Sequence, residues 1–212
     1  MQLTTSMRRA LTAGAAATLL FTGAGTAAAA PSATPAVTTA TTAQHAAAHS
    51  PYGELRPLAV LSAERLATAD LVAAAKWGTG SPIDDPAREQ VVLDTVAEQA
   101  RQLGADPAAT VRIFRDQIEA NKVVQRGLHR TWDADPSQAP AERPDLDKVR
   151  QEINRINGEL VRAVVDSEGA RSAPYCGVLV SGAAEQVRHT RHLDGLHTVA
   201  LARALRSVCG AA

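Results

Sequence analysis

The chain has 212 residues, 45% of them apolar and only 3% aromatic, and its 22 basic side chains are balanced by 22 acidic ones. With no net charge there is no electrostatic reason for general binding to nucleic acid or to an anionic membrane surface, and neither is expected as a partner. Alanine dominates, leucine and arginine are next in abundance, strand alternation is absent, and an all-α fold follows.

The N-terminus reads as an export signal. Arg8 and Arg9 precede an apolar run from about Ala10 to Phe21, and small residues follow as far as Ala27, Ala28, Ala29 and Ala30. Residues 1–30 are therefore expected to be removed, leaving a product that is secreted or periplasmic. Residues 31–54, rich in Ala, Thr and Pro, bury too little apolar surface to offset the entropy of ordering and are expected to be a flexible linker. No later stretch is apolar for long enough to span a bilayer.

Residues 55–212 are one domain's worth of chain, with no internal repeat. A first helix is predicted over Leu58–Trp77, ending at Gly78, Gly80 and Pro82. Asp85-Pro86 combines an N-cap with a proline in the first turn and opens a second helix that ends near Gly104. Asp106-Pro107 repeats the device for a third helix reaching about Trp132. A Pro-rich linker from Asp135 to Pro144 leads to Asp145, the cap of a fourth helix extending to about Glu168. A short helix containing Cys176 and a last one from about Gln186 to Val208 complete a single-domain bundle of about six helices. In an oxidising compartment Cys176 and Cys209 should pair, which stabilises the fold by roughly 3–4 kcal/mol in the chain-entropy model.

Polar residues stand where these helices should be apolar. Arg65 and Lys76 are eleven residues apart, so at about 100° per residue they point within about 20° of each other, on the face that also carries Leu58, Leu61, Ala69 and Val72. The second helix begins its stripe with Arg88, followed by Val91, Val92, Thr95 and Gln99. Asn121 and Gln125 interrupt the stripe of Phe114, Ile118, Leu128 and Trp132 on the third. Arg150 precedes Ile153, Asn157, Leu160 and Val164 on the fourth. Taken singly, each cation has a structural explanation, with Glu64 and Glu89 at hand as partners. Taken together, four cations and two amides on inward faces predict a pocket rich in donors and poor in acceptors, suited to a small ligand with more than one carboxylate.

Other constellations carry less. His189, His192 and His197 lack the spacing of a helical zinc site and suit surface or capping roles, so no metal is expected. Asp84 and Asp85 are explained by turn and cap formation.

The run Ala63-Glu64-Arg65-Leu66, with Ala69-Asp70, Lys76-Trp77, Pro82-Ile83-Asp84-Asp85 and Arg88-Glu89, resembles the opening of the all-helical chorismate mutases. Asp116-Gln117-Ile118-Glu119-Ala120-Asn121-Lys122-Val123-Val124-Gln125 is similar to their second signature. The leader, the Pro-Asp-Leu entry to the fourth helix and Arg191-His192-Leu193-Asp194 near the terminal cysteine resemble the secreted subclass in particular. The resemblance covers nearly all of Leu58–Cys209.

It implies conversion of chorismate to prephenate, an isomerisation on the route to the aromatic amino acids, with no cofactor. Lys76 and Gln125 would then hold the ether oxygen, and Arg65 and Arg150 the carboxylates. Arg88 would assist, Asn121 would hold the ring carboxylate, and Glu89 with the backbone near Asp85 would receive the substrate hydroxyl. Secreted relatives can carry Glu in place of Gln125, and others Thr or Ser in place of Asn121; Val92 replaces a substrate-facing Gln. Family likeness implies a homodimer, and Arg150, lying in the same chain, implies that each site is contained in one protomer. Two alternatives share the scaffold: elimination of pyruvate from isochorismate, and a secreted binding protein without chemistry.

Overall fold

Seven α-helices and a 3-10 turn make up residues 50–210, which the structure, a computed structural model, describes. The expected signal peptide and almost all of the expected linker lie outside these residues, which belong to the unit formed by 37–212. In chain order the helices are α1 (Pro51–Lys76), α2 (Pro86–Gln102), α3 (Pro107–Ala134), α4 (Leu146–Asp166), α5 (Glu168–Arg171), α6 (Cys176–Thr190) and α7 (Gly195–Ala204).

The caps read from the sequence are present. The Asp85 side chain accepts from the Arg88 amide, Asp106 from Ala108 and Ala109, and Asp145 from Asp147 and Lys148. Each satisfies backbone donors that the first helical turn leaves without partners. The same device occurs once more than predicted. Ser50 accepts from the Gly53 amide and Pro51 takes the first helical position, so α1 begins seven residues before Leu58 and residues 51–54 are helical rather than linker. Burial explains the longer helix: Leu55 is fully enclosed, and the Tyr52 hydroxyl donates to Gln186 Oε1 at 2.6 Å, fastening the first turn to α6. Pro57 lies on the exposed side of this turn.

α1 runs through the middle of the bundle and packs on α3, α4 and α6, while α3 also carries α2 and α7. The core between them is aliphatic: Leu55, Leu58, Leu66, Ile113, Phe114, Leu160 and Val161 are all buried. Each such side chain contributes about 1.5–3 kcal/mol through the area it removes from water.

The C-terminal region departs from the predicted pattern. In place of one helix from Gln186 to Val208, α6 starts at Cys176 itself and ends at Thr190, and α7 starts afresh at Gly195. The break has a local cause. Asp194 accepts from the amide of His197, opening α7, and His192 just before it adopts a left-handed φ of 51°. Cys176 and Cys209 form the expected disulfide, with Cα atoms 5.8 Å apart, tying the start of α6 to the end of the chain.

Candidate active site

α1, α2, α3 and α4, with the loop joining α1 to α2, enclose a cavity of about 290 Å³, close to the lower limit of small-molecule pockets at roughly 300 Å³. All eight residues expected to bind substrate line it: Arg65, Lys76, Asp85, Arg88, Glu89, Asn121, Gln125 and Arg150. Val72, Val92, Ile118 and Ile153 supply apolar wall between them. Helical spacing brings Arg65, Val72 and Lys76 to one line on α1, as it does Ile118, Asn121 and Gln125 on α3.

Arg65 is held without any carboxylate. Only 4% exposed, it donates through Nε to Asn157 Oδ1 and through Nη1 to the backbone oxygen of Gln117, both at 2.9 Å. Those two bonds leave the Nη2 donors for a ligand. Burial, uncompensated by an acid, lowers its pKa to about 10. Glu64, the nearest acid in sequence, is turned outward to Arg191 at 2.7 Å.

Lys76 ends α1 with its ammonium on two loop carbonyls, Pro82 O at 2.9 Å and Ile83 O at 3.5 Å. Burial lowers its pKa; Asp85 opposes the shift, and Arg150 across the cavity adds to it. The loop that provides the carbonyls turns through Gly78 and Gly80, both at positive φ (70° and 74°), where a side chain would be strained. Among the described residues Arg65, Lys76 and Arg88 make no salt bridge. Arg150 pairs with Asp147 one turn earlier at 2.9 Å, and both side chains are substantially exposed.

The two amides on α3 are buried in the wall. Among the described residues the oxygens of Asn121 and Gln125 have no hydrogen-bond partner, and Asn121 Nδ2 reaches Arg65 O at 3.4 Å. Buried amide groups of this kind are costly to leave unsatisfied, and the NH2 of either amide can donate to an acceptor in the cavity.

Some of the site was not visible in the stripes. Lys122, beside Asn121, is buried in the cavity wall and bridges three carboxylates: Glu119 at 2.8 Å, Glu89 at 2.9 Å and Asp84 at 3.2 Å. Burial works against its charge, but the three acids outweigh that and raise its pKa. The Glu119–Lys122 spacing looks like an ordinary surface pair, which concealed it. Asn157 fell on the predicted inward face of α4, yet its task of holding Arg65 depends on a contact across 92 residues.

The stripe assigned to α2 needs correction. Val91 is 54% exposed and Thr95 is exposed too, whereas Leu93, Val96 and Ala100 are buried. Only the first turns, with Arg88, Glu89 and Val92, reach the cavity; beyond them the helix turns its next face onto α3. The histidines lie elsewhere: His189 pairs with Glu185, and His197 sits between Asp70 and Asp194. Among the described residues no cluster has the makings of a metal site.

A helical bundle whose single chain converges four cations and two amides on one small cavity defines a class: proteins that hold a compact polyanion by fixed charges and donors. The comparisons narrow it. A family model described as chorismate mutase type II matches residues 58–126, the segment holding every expected binding residue except Arg150. The chain is 35% identical over 158 residues to a secreted chorismate mutase of Mycobacterium tuberculosis, covering 74% of this chain and 79% of that one. To its counterpart from Mycolicibacterium smegmatis it is 36% identical over 155 residues, covering 73% of this chain and 86% of the relative. The crystal structure of a chorismate mutase from Burkholderia thailandensis matches with a TM-score of 0.71 at 34% identity, covering 74% of this chain and 99% of that one. The chain belongs to the chorismate mutase family.

Proposed function

We propose that this protein converts chorismate to prephenate, and that it does so outside the cytoplasm after losing its leader. Chorismate carries two carboxylates and an ether oxygen that becomes more negative as its bond to the ring breaks. In the rearrangement that C–O bond opens, the methylene carbon of the side chain bonds to the ring carbon bearing the carboxylate, and the ether oxygen becomes a ketone. No proton is transferred and no bond to the protein is required.

The work left to the protein is conformational and electrostatic. Arg65 and Arg150 clamp the carboxylates and keep the side chain folded over the ring, with Arg88 assisting and Asn121 on the ring carboxylate. Lys76 and Gln125 donate to the ether oxygen, an interaction that strengthens toward the transition state. Glu89 and the Asp85 backbone take the substrate hydroxyl. Arg150 exchanges its exposed partner Asp147 for substrate, a small loss because such surface pairs are worth about 0–1 kcal/mol.

The observation that carries this reading is the convergence of Arg65, Lys76, Arg88 and Arg150 on one cavity, with no acid paired to the first three. Because all four come from one chain, each protomer of the proposed homodimer works alone. Purified protein should consume chorismate and form prephenate, isochorismate should yield no pyruvate, and Lys76→Ala should lower kcat/KM at least about 100-fold with helical content unchanged. Binding of chorismate without turnover, or full activity in the variant, would remove the proposal.

A further inference from the structure

The cluster around Lys122 contains more negative charge than a cavity built for an anion should tolerate. Asp84, Glu89 and Glu119 all converge on this one ammonium, and Lys122 and Glu89 are both in the cavity wall. The three acids do not depend on it equally. Asp84 has a second cation, since Arg126 Nη2 reaches both of its oxygens, at 2.6 and 2.7 Å. Glu119 is 41% exposed and can be solvated. Glu89 is the one left: its side chain is 25% exposed, and among the described residues Lys122 is its only cationic partner. The Lys122 ammonium makes its nearest approach to Glu89 at Oε1, 2.9 Å away, and the Asp85 amide donates to the same oxygen at 3.3 Å.

We infer that Lys122 is a positioning residue that acts through Glu89, holding one carboxylate oxygen so that the other is presented to the ring hydroxyl of the substrate and the acid's charge is not felt by the substrate carboxylates. Oε2 then accepts a hydrogen bond from the hydroxyl, and Lys122 itself touches no substrate atom. Discrimination for the hydroxyl-bearing ring thus depends on a residue of α3 two contacts away from it. The inference rests on chorismate being the substrate.

The test compares chorismate with its analogue carrying hydrogen in place of the ring hydroxyl. Lys122→Met, close in volume but uncharged, should reduce kcat/KM for chorismate by about 10- to 100-fold, the span covered by loss of a hydrogen bond to a charged group, while the analogue changes less than threefold. Lys122→Arg should restore most of the discrimination. In a Glu89→Gln background Lys122→Met should cost little more, since the group it acts through is already altered. Equal losses on the two substrates would mean that Lys122 binds a carboxylate or only supports the fold, and no loss on either would mean it is idle; both overturn the inference while the mutase reading stands. Wild-type protein that leaves chorismate unchanged would overturn both.

Discussion

Arg65 illustrates what a cation proposed to bind an anion costs before its ligand arrives. Lowering its pKa from 12.5 to about 10 corresponds to about 3 kcal/mol against the charged form in the fold. Its bonds to Asn157 and Gln117 return a similar amount, at about 1.5–3 kcal/mol for each hydrogen bond to a charged group. Arg65→Met should therefore shift the melting temperature by only a few degrees in either direction while removing activity. Gln125 raises a different issue, that of protonation. An amide donates to an ether oxygen at any pH, so activity should vary little between about pH 5 and 8 on its account. Gln125→Glu replaces it with a group that donates only when protonated, and kcat/KM of that variant should fall as pH rises through the range in which the new carboxyl ionises. A flat profile for the variant would show that position 125 does not contact the ether oxygen.

Between elements, His197 joins the first turn of α7 to α1. Its Nε2 faces Asp70 at 2.9 Å and its Nδ1 faces Asp194 at 2.8 Å, so both ring nitrogens donate and the imidazolium is favoured. The Asp70 hydrogen bond leads, burial opposes it, Asp194 adds to it, and the pKa rises to about 9. Because the folded value exceeds the ordinary 6.5, the stabilisation is complete below about pH 6.5 and disappears as pH passes about 9. Both carboxylates are exposed, so screening limits it to about 1–2 kcal/mol. His197→Asn should melt several degrees below wild type at pH 6 and level with it at pH 10. A difference that persisted unchanged at high pH would assign the effect to packing instead. The α6–α7 break was partly legible in Asp194-Gly195, a cap followed by a flexible residue. The run of helix-formers on either side masked it, because propensity alone does not report that the chain must turn back to cover α3.

Over the whole molecule, the active cavity and the stapled C-terminus are separate. No described residue after Ile153 lines the cavity, while the disulfide joins Cys176 to Cys209, 33 positions apart. Removing it should cost about 3–4 kcal/mol by releasing the unfolded chain, or on the order of 10 °C in melting temperature. Reduced protein, or Cys176→Ser with Cys209→Ser, should nevertheless retain its kcat at 25 °C. Loss of activity in step with stability would indicate that α6 and α7 hold the site in shape through α1 and α3.

The sequence by itself determined the helical class, the caps at Asp85, Asp106 and Asp145 and the pairing of the two cysteines, because caps and periodicity are local signals, and it singled out the eight candidate binding residues that line one cavity. Tertiary structure decided the rest. Whether Glu64 or Glu89 would neutralise a neighbouring cation depended on where their carboxylates were drawn: Glu64 outward to Arg191, Glu89 inward to Lys122. The exposure of Val91, the service of Asn157 to Arg65 and the convergence of three acids on Lys122 likewise arise from contacts between helices distant in sequence. Periodicity assigns a residue to a face; only packing decides what that face meets.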